Sequence, residues 1–380
     1  MKAFRSMFAT LALGMCLLCE AASASTATSS PPPVPENGAY LGAWVYYDHN
    51  ASKQGQVGPA AQLDVLEQDL GRRFDIGHAY YCFDGTNGCN GQLTGNAATN
   101  SDQQYGRMPL DSWSCSTTSG YTLGDIISGY QAWKLNPATP SPVIAYIIGQ
   151  AKSVAAYGTT TYIRWAWEML NHGANGDCVS SDGGAANYVA AWQAIYNLFH
   201  YYQANNAVFV WCPSAGNFNS SDGNPLNSPA AEYYPGNGYV DYVCADGYND
   251  SGQTSTFATK FDNAYKFAMI VNSAGPMPFM VGETGDEAAD PNQATWTSSF
   301  YADIKAGYPY VKAIVYFDSY NCKTQNDFTL GWPAGQVTVP PSLDAMRTIM
   351  KEGYFNPRGL SLFAPASQTM LDTFKPGCSG

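Results

Sequence analysis

Little in this chain is charged. Only 13% of its 380 residues are Asp, Glu, Lys or Arg, and the balance is acidic, with a net charge of −12. The absence of any basic run argues against nucleic acid or an anionic membrane surface as a partner. Histidine is scarce too: His49, His78, His172 and His200 are scattered. Neither they nor the cysteines fall at metal-ligand spacing, so no metal and no cofactor are expected. Long apolar runs are also missing. The exception, Met7 to Leu18, is too short to span a bilayer. It follows Lys2 and Arg5 and precedes Ala22-Ser23-Ala24, the pattern of a secretory signal peptide cleaved after Ala24. The expectation is an exported chain without a membrane anchor, extracellular or periplasmic, whose charge without the leader (Lys2, Arg5 and Glu20, net +1) is about −13.

Residues 25–38 are rich in Ser, Thr and Pro and read as a linker. No second low-complexity break follows, so 39–380 is expected to be one catalytic-sized domain with a C-terminal tail, working as a monomer. Its 27 tyrosines and 37 glycines suit an exported protein that handles a neutral polar ligand. Eight cysteines remain after the leader: Cys82, Cys89, Cys115, Cys178, Cys212, Cys244, Cys322 and Cys378. In an exported chain an even set points to disulfides, with 105 possible connectivities. Cys82 with Cys89 is the plausible local loop, whereas Cys212 and Cys244, on candidate neighbouring strands, are either bridged or buried as thiols. Asn50, Asn219 and Asn249 begin N-x-Ser/Thr sequons.

Short apolar runs bounded by turn residues recur along the chain, most of them separated by helical patterns. Strands are predicted at Tyr40–Tyr46, Asp75–Phe83, Pro142–Ile148, Tyr162–Glu168, Ala207–Trp211, Val240–Ala245, Phe279–Gly282 and Ala313–Phe317. Helices are predicted near Ala60–Phe74, Leu123–Leu135, Ala185–Asn205, Thr256–Asn272, Ala294–Ala306 and Ser342–Lys351. Near-continuous apolar strands alternating with helices indicate a parallel sheet covered on both faces. Eight such units predict an α/β fold, a (β/α)8 TIM barrel, with Asp84 to Gly120 as a long Gly/Asn/Ser-rich insertion after strand 2.

Two glutamates stand out against this frame. Glu168 in TTYIRWAWEML and Glu283 in MPFMVGETGDE follow apolar strand residues and lie 115 residues apart, about three barrel units. Barrels carry catalytic groups at the carboxyl ends of their strands, and a pair of carboxylates is the minimal machinery for cleaving a glycosidic bond. One Glu of this kind alone is more often structural, for instance paired with Arg164 four residues back; the pair on strands four and seven reverses that preference. A retaining mechanism would require carboxyl groups roughly 5–5.5 Å apart.

The succession IRWAWEM, FVWCPSAGN, YYPGNGYVDYVCADGYN, MVGETG and AIVYFDS resembles the motifs of glycoside hydrolase family 26, over about Tyr40 to Trp332. That family comprises secreted β-mannanases and smaller groups acting on β-1,3-1,4-glucan and β-1,3-xylan. The resemblance implies Glu168 as acid/base, Glu283 as nucleophile, Tyr248 in contact with the nucleophile, Arg164 as the strand-four arginine and Trp211 as a cleft aromatic. Where the family usually shows His-Glu-Met-Asn-Gly, this chain has Trp167-Glu168-Met169-Leu170-Asn171. Trp167 is a candidate sugar contact, as are His78, which is equally well read as an interior histidine, and His172 in the loop after the acid. Trp44 and Trp165 lie near strand ends, and Trp165 could instead pack on helices. Asp246 and Asp318, at the ends of strands six and eight, are read as orienting or structural groups. The activity implied is a secreted retaining endo-β-glycanase with a poly- or oligosaccharide substrate, β-1,4-mannan first. The alternatives are the same mechanism on β-1,3-1,4-glucan or xylan, a related barrel glycosidase, or a catalytically weakened carbohydrate-binding barrel.

Overall fold

The computed structural model describes residues 33–46, 59–84, 91–115, 119–171, 179, 182–249, 255–319, 327–330 and 339–365. By its internal contacts the chain divides into Met1–Ser30 and Pro31–Gly380, and all the described residues belong to the second unit. Eight parallel strands close into a barrel: β1 (Tyr40–Tyr46), β2 (Ile76–Tyr81), β3 (Met108–Trp113), β4 (Thr161–Trp165), β5 (Ala207–Trp211), β6 (Tyr242–Asp246), β7 (Phe279–Thr284) and β8 (Val311–Ser319). Each pairs with the next, and β8 returns to β1 along the whole of that strand, from Tyr40 opposite Ala313 to Tyr46 opposite Ser319. The helices are α1 (Pro59–Leu70), α2 (Ala97–Tyr105), α3 (Leu123–Leu135), α4 (Pro142–Tyr157), α5 (Gly184–Tyr201), α6 (Phe257–Ile270), α7 (Gln293–Gly307) and α8 (Pro341–Lys351). The TIM barrel expected from the strand count is thus present.

The third strand is not where the apolar pattern put it. Pro142–Ile148 is the start of α4, and the segment read as an insertion holds α2 and β3. In α4 the buried Val143, Ile144, Ile147, Ile148, Ala151 and Val154 recur at helical spacing over four turns, with Pro142 at the first helical position and Gly158 closing the helix at φ +76°. The first seven residues alone, rich in Val and Ile, imitate a strand. β3 (MPLDSW) was hidden for the opposite reason. It carries Pro109, Asp111 and Ser112, yet all six of its residues are buried. Just before it, Asn96 and Thr99 form a reciprocal capping box for α2, which Gly106 terminates in the left-handed region at φ +71°.

Strand alternation divides the core in two. Outward-facing residues such as Leu41, Ile163, Phe209, Val243 and Val281 pack on the helices. Inward-facing Tyr40, Ile76, Met108, Leu110, Tyr162, Val208, Val210, Tyr242, Met280, Ala313 and Val315 fill the barrel. At its amino-terminal end the Tyr162 and Tyr242 hydroxyls donate to the Pro33 carbonyl at 2.7 and 2.6 Å, so the barrel is plugged there. Cys212 and Cys244 form a disulfide across the inner faces of the β5 and β6 ends. Cys82 and Cys115 each take part in a disulfide, and Cys89, the expected partner of Cys82, lies outside the described residues. Asn249 is buried, donates to Asp286 at 2.8 Å and accepts from the Ser255 amide at 3.0 Å, so its sequon is closed to modification in the folded chain; Asn219 is exposed, and Asn50 lies outside the described residues. Among the described residues no helix is long and apolar enough to cross a membrane.

Candidate active site

At the carboxyl-terminal mouth the barrel filling turns from apolar to polar. Ser112 at the end of β3, Arg164 on β4 and Asp246 at the end of β6 all point inward, because each continues the parity of the apolar residues two positions before it. Arg164 is fully buried and spends its guanidinium on all sides. It donates to both Asp246 carboxylate oxygens at 2.9 and 2.8 Å, to Ser112 Oγ at 2.7 Å and to Glu283 Oε1. Burial pushes the Asp246 carboxyl up and Arg164 acts against it, while the surrounding carboxylates hold the guanidinium protonated.

Glu283 reaches this cluster through an irregularity in β7. Met280 faces in and Val281 faces out, so Gly282 faces in and strict alternation would send Glu283 outward. The register slips here instead: Ala245 pairs with Val281, but Asp246 pairs with Glu283, and the β8 pairing shifts over the same stretch. A bulge of this kind re-aims a side chain. Glycine is required at 282, since a Cβ there would stand 2.5 Å from Cys244 Sγ, 2.6 Å from Asp246 Oδ1 and 2.8 Å from Cys212 Sγ. Glu283 then receives three donors: Arg164 and the Tyr80 hydroxyl (2.5 Å) on Oε1, and the Tyr248 hydroxyl on Oε2. Three donors on one carboxylate stabilise its negative charge.

Glu168 lies beyond the end of β4, in a turn spanning Ala166 to Leu170. Two of its residues without glycine's freedom sit in the left-handed region, Ala166 at φ +47° and Glu168 at φ +51°. Each such residue costs about 1–2 kcal/mol. The turn is held by the Ala166 amide on the Trp113 carbonyl and the Glu168 amide on the Cys212 carbonyl, both at 2.8 Å, which tie it to the ends of β3 and β5. Strain at a side chain aimed into a cleft is the pattern of a functional position. Burial, and then the negative charge of Glu283, raise the Glu168 carboxyl above its ordinary range. The Ser214 hydroxyl, itself held by Asn171 Nδ2 at 2.9 Å, donates to Glu168 Oε1 at 2.9 Å and pulls the other way. One carboxyl is therefore biased toward holding a proton and its neighbour is built to carry charge. This is the division of labour that acid–nucleophile chemistry requires. Arg164 does not pair with Glu168; its carboxylate partners are Asp246 and Glu283.

The other sequence candidates divide. Tyr248 touches Glu283, with its ring against Phe317 and Phe328. Trp167 packs on Tyr80 at 5.2 Å between ring centroids and lies 5.3 Å from the Arg164 guanidinium carbon, within the inner cluster. Trp44, half-buried, meets the Tyr80 ring edge-on at 4.8 Å. Trp165 faces the helices and stacks on Tyr188. Trp211 is a correction: it is fully buried outside the barrel, against Phe218, Tyr234 and Phe267. Its neighbours Val210 and Cys212 face in, so Trp211 must face out. His78 is a second correction, for it lies beneath the cleft rather than in it, 5% exposed. Its Nε2 is 2.6 Å from Ser112 Oγ and 3.2 Å from Arg164 Nη2. Burial and the guanidinium push its pKa well down, so the ring is neutral and accepts through Nε2. Asp318 accepts from the Leu330 amide and is structural. His172 lies outside the described residues.

Tyr80, Ser112 and Ser214 were missed in the sequence. Ser112 lay in the unrecognised strand. Tyr80 was legible from the parity of Ile76, His78 and Tyr80, whereas nothing in CPSAGN marks Ser214. Cys212, Cys244 and Asp246 bring two sulfurs and a carboxylate within 4.8 Å of one another. The sulfurs are spent on each other and the carboxylate on Arg164, which leaves no open ligand set there.

No family model matches the chain. Endoglucanase H of Acetivibrio thermocellus is 28% identical over 256 residues, which is 62% of this chain and 25% of that protein; the chain thus spans a quarter of the length of this curated relative. Among solved structures, the barrel is similar to a family 26 β-mannanase from Bacteroides ovatus, with a TM-score of 0.53 and 14% identity over 88% of this chain and 93% of that one. It is also similar to a modular endo-β-1,4-mannanase from Cellulomonas fimi, with a TM-score of 0.54 and 14% identity over 90% of this chain and 75% of that one. The fold is shared with family 26 β-mannanases. At these identities the likeness is one of architecture, and the chemistry has to be argued from the side chains at the mouth.

Proposed function

We propose that the chain is a secreted, retaining endo-β-glycanase of glycoside hydrolase family 26. The observation that carries this reading is the asymmetry of the two carboxyls: Glu168 is raised by burial and by its neighbour, while Glu283 is bound by three donors. A Glu283 oxygen attacks the anomeric carbon, the bond to the leaving oxygen breaks, and the Glu168 proton passes to that oxygen. Glu168, now a carboxylate, takes a proton from water, whose oxygen displaces Glu283 from the anomeric carbon and restores both groups. The half-buried rings of Trp44 and Tyr80 offer apolar faces for the C–H surface of a pyranose.

The substrate put first is β-1,4-mannan, in keeping with the solved mannanases that share the fold. The alternative is the same chemistry on β-1,3-1,4-glucan or xylan; the name of the curated relative, an endoglucanase, favours a glucan, and Trp167 sets an indole rather than an imidazole beside the acid. Incubation with mannan, mixed-linkage glucan and xylan, followed by separation of products, tests substrate and mode together; a ladder of oligosaccharides is expected from an endo enzyme. Glu283→Ala should abolish turnover, and azide should rescue it as a glycosyl azide of inverted configuration. A fully active Glu283→Ala enzyme would remove Glu283 from the mechanism, and tight binding of a glycan with no new reducing ends would favour a carbohydrate-binding barrel.

A further inference from the structure

The two oxygens of Glu283 are not equivalent. Each carboxylate oxygen has two lone pairs. Oε1 accepts from both Tyr80 and Arg164 and is saturated, whereas among the described residues Oε2 accepts from Tyr248 alone. Arg164 is locked in place by Asp246 and Ser112, and Tyr80 by ring contacts with Trp44, His78 and Trp167 at 4.8, 4.5 and 5.2 Å. Both donors on Oε1 thus come from side chains that have little freedom to follow the carboxylate if it turns.

We infer that Tyr80 is a positioning residue for Glu283: with Arg164 it pins Oε1 as the anchored oxygen, which leaves the open lone pair of Oε2 to attack the anomeric carbon. This deepens the glycosidase reading and rests on it. The pair on Oε1 sets the rotation of the carboxylate about its Cγ–Cδ bond. When Oε2 forms the ester, Oε1 becomes its carbonyl oxygen and goes on accepting from Tyr80, more weakly than the carboxylate did, so Tyr80 holds the same geometry through the step. Among the described residues, the titratable and charged groups around Glu283 are Tyr80 from β2, Arg164 from β4 with His78 beside it, Glu168 from the following turn, and Asp246 and Tyr248 at and just beyond the end of β6. Of these, Tyr80 and Tyr248 donate to Glu283 as neutral groups, and Tyr80 is the one on Oε1, where its hydroxyl can be removed without altering net charge.

The experiment is Tyr80→Phe, which keeps the ring and its packing. kcat should fall roughly ten- to a hundred-fold, the range for one hydrogen bond to a charged group, with KM within about two-fold. The acidic limb of kcat/KM should move, because the variant lacks one donor to the charged nucleophile. The melting temperature should stay close to that of wild type. Unchanged kcat and an unchanged acidic limb would overturn the assignment, as would a fall in melting temperature accompanied by an unshifted limb. A wild-type chain that cleaves no glycan would sink the glycosidase reading itself. An active wild type with an unaffected Tyr80→Phe variant would sink only the role of Tyr80.

Discussion

Arg164→Met tests whether the buried guanidinium holds the site together. Arg164 and Asp246 have fully buried side chains and Glu283 is nearly so, with 7% of its side chain exposed. Four hydrogen bonds from Arg164 reach Asp246, Ser112 and Glu283. Methionine fills much of the volume but leaves Asp246 as an unpaired buried carboxylate. Breaking a buried pair from one side costs about 3–5 kcal/mol. Unfolding entropy of roughly 2.1 cal/mol/K per residue, over a domain of about 345 residues, is about 0.7 kcal/mol/K, so the melting temperature should drop by about 4–7 °C at neutral pH. The sign of the pH dependence follows from Asp246. Without Arg164 its folded carboxyl, already pushed up by burial, loses the one cation opposing that push. The unfolded chain then ionises more readily, so the deficit grows as pH rises and shrinks on acidification. Adding Asp246→Asn removes the stranded charge and should recover part of the loss. Differential scanning calorimetry at pH 5 and pH 7.5 measures all three. A shift under about 1 °C at neutral pH, or a deficit that deepens on acidification, would refute the reasoning.

Two further outcomes follow from the geometry. Ser214→Ala removes a donor that lowers the Glu168 carboxyl, so the acid should keep its proton to higher pH and the basic limb of kcat/KM should move upward; a downward move contradicts the hydrogen bond from Ser214. Trp211→Ala should destabilise the fold by about 3–5 kcal/mol, as for other large core truncations, with KM unchanged; a KM rise on soluble glycan with no loss of stability would return Trp211 to the cleft.

How far the site could be read from the chain differs from residue to residue. Glu168 and Glu283 were legible because each follows an apolar run, and their order on β4 and β7 survived an error in the strand count. That error replaced β3 by the start of α4 and left the total at eight. β3 was invisible because its Pro109, Asp111 and Ser112 are buried by the closed barrel rather than by local hydrophobicity. Trp211 was placed in the right strand and given the wrong face, since an apolar residue next to Cys212 carries no mark of which side is the interior. Glu283 shows the reverse case: simple alternation would turn it outward, and a register slip against β6 turns it in.

By itself the sequence determined the alternation of strands and helices, and with it the barrel and the two carboxylates near its mouth, because period and turn chemistry are properties of neighbours along the chain. Tertiary structure alone decided what surrounds those carboxylates. The donors on Glu283 come from residues 80, 164 and 248, the groups that raise and lower Glu168 come from residues 283 and 214, and His78 is kept neutral beneath Arg164. Burial and charge act through space, and residues separated by a hundred positions set each other's protonation only once closure of the barrel has brought them together.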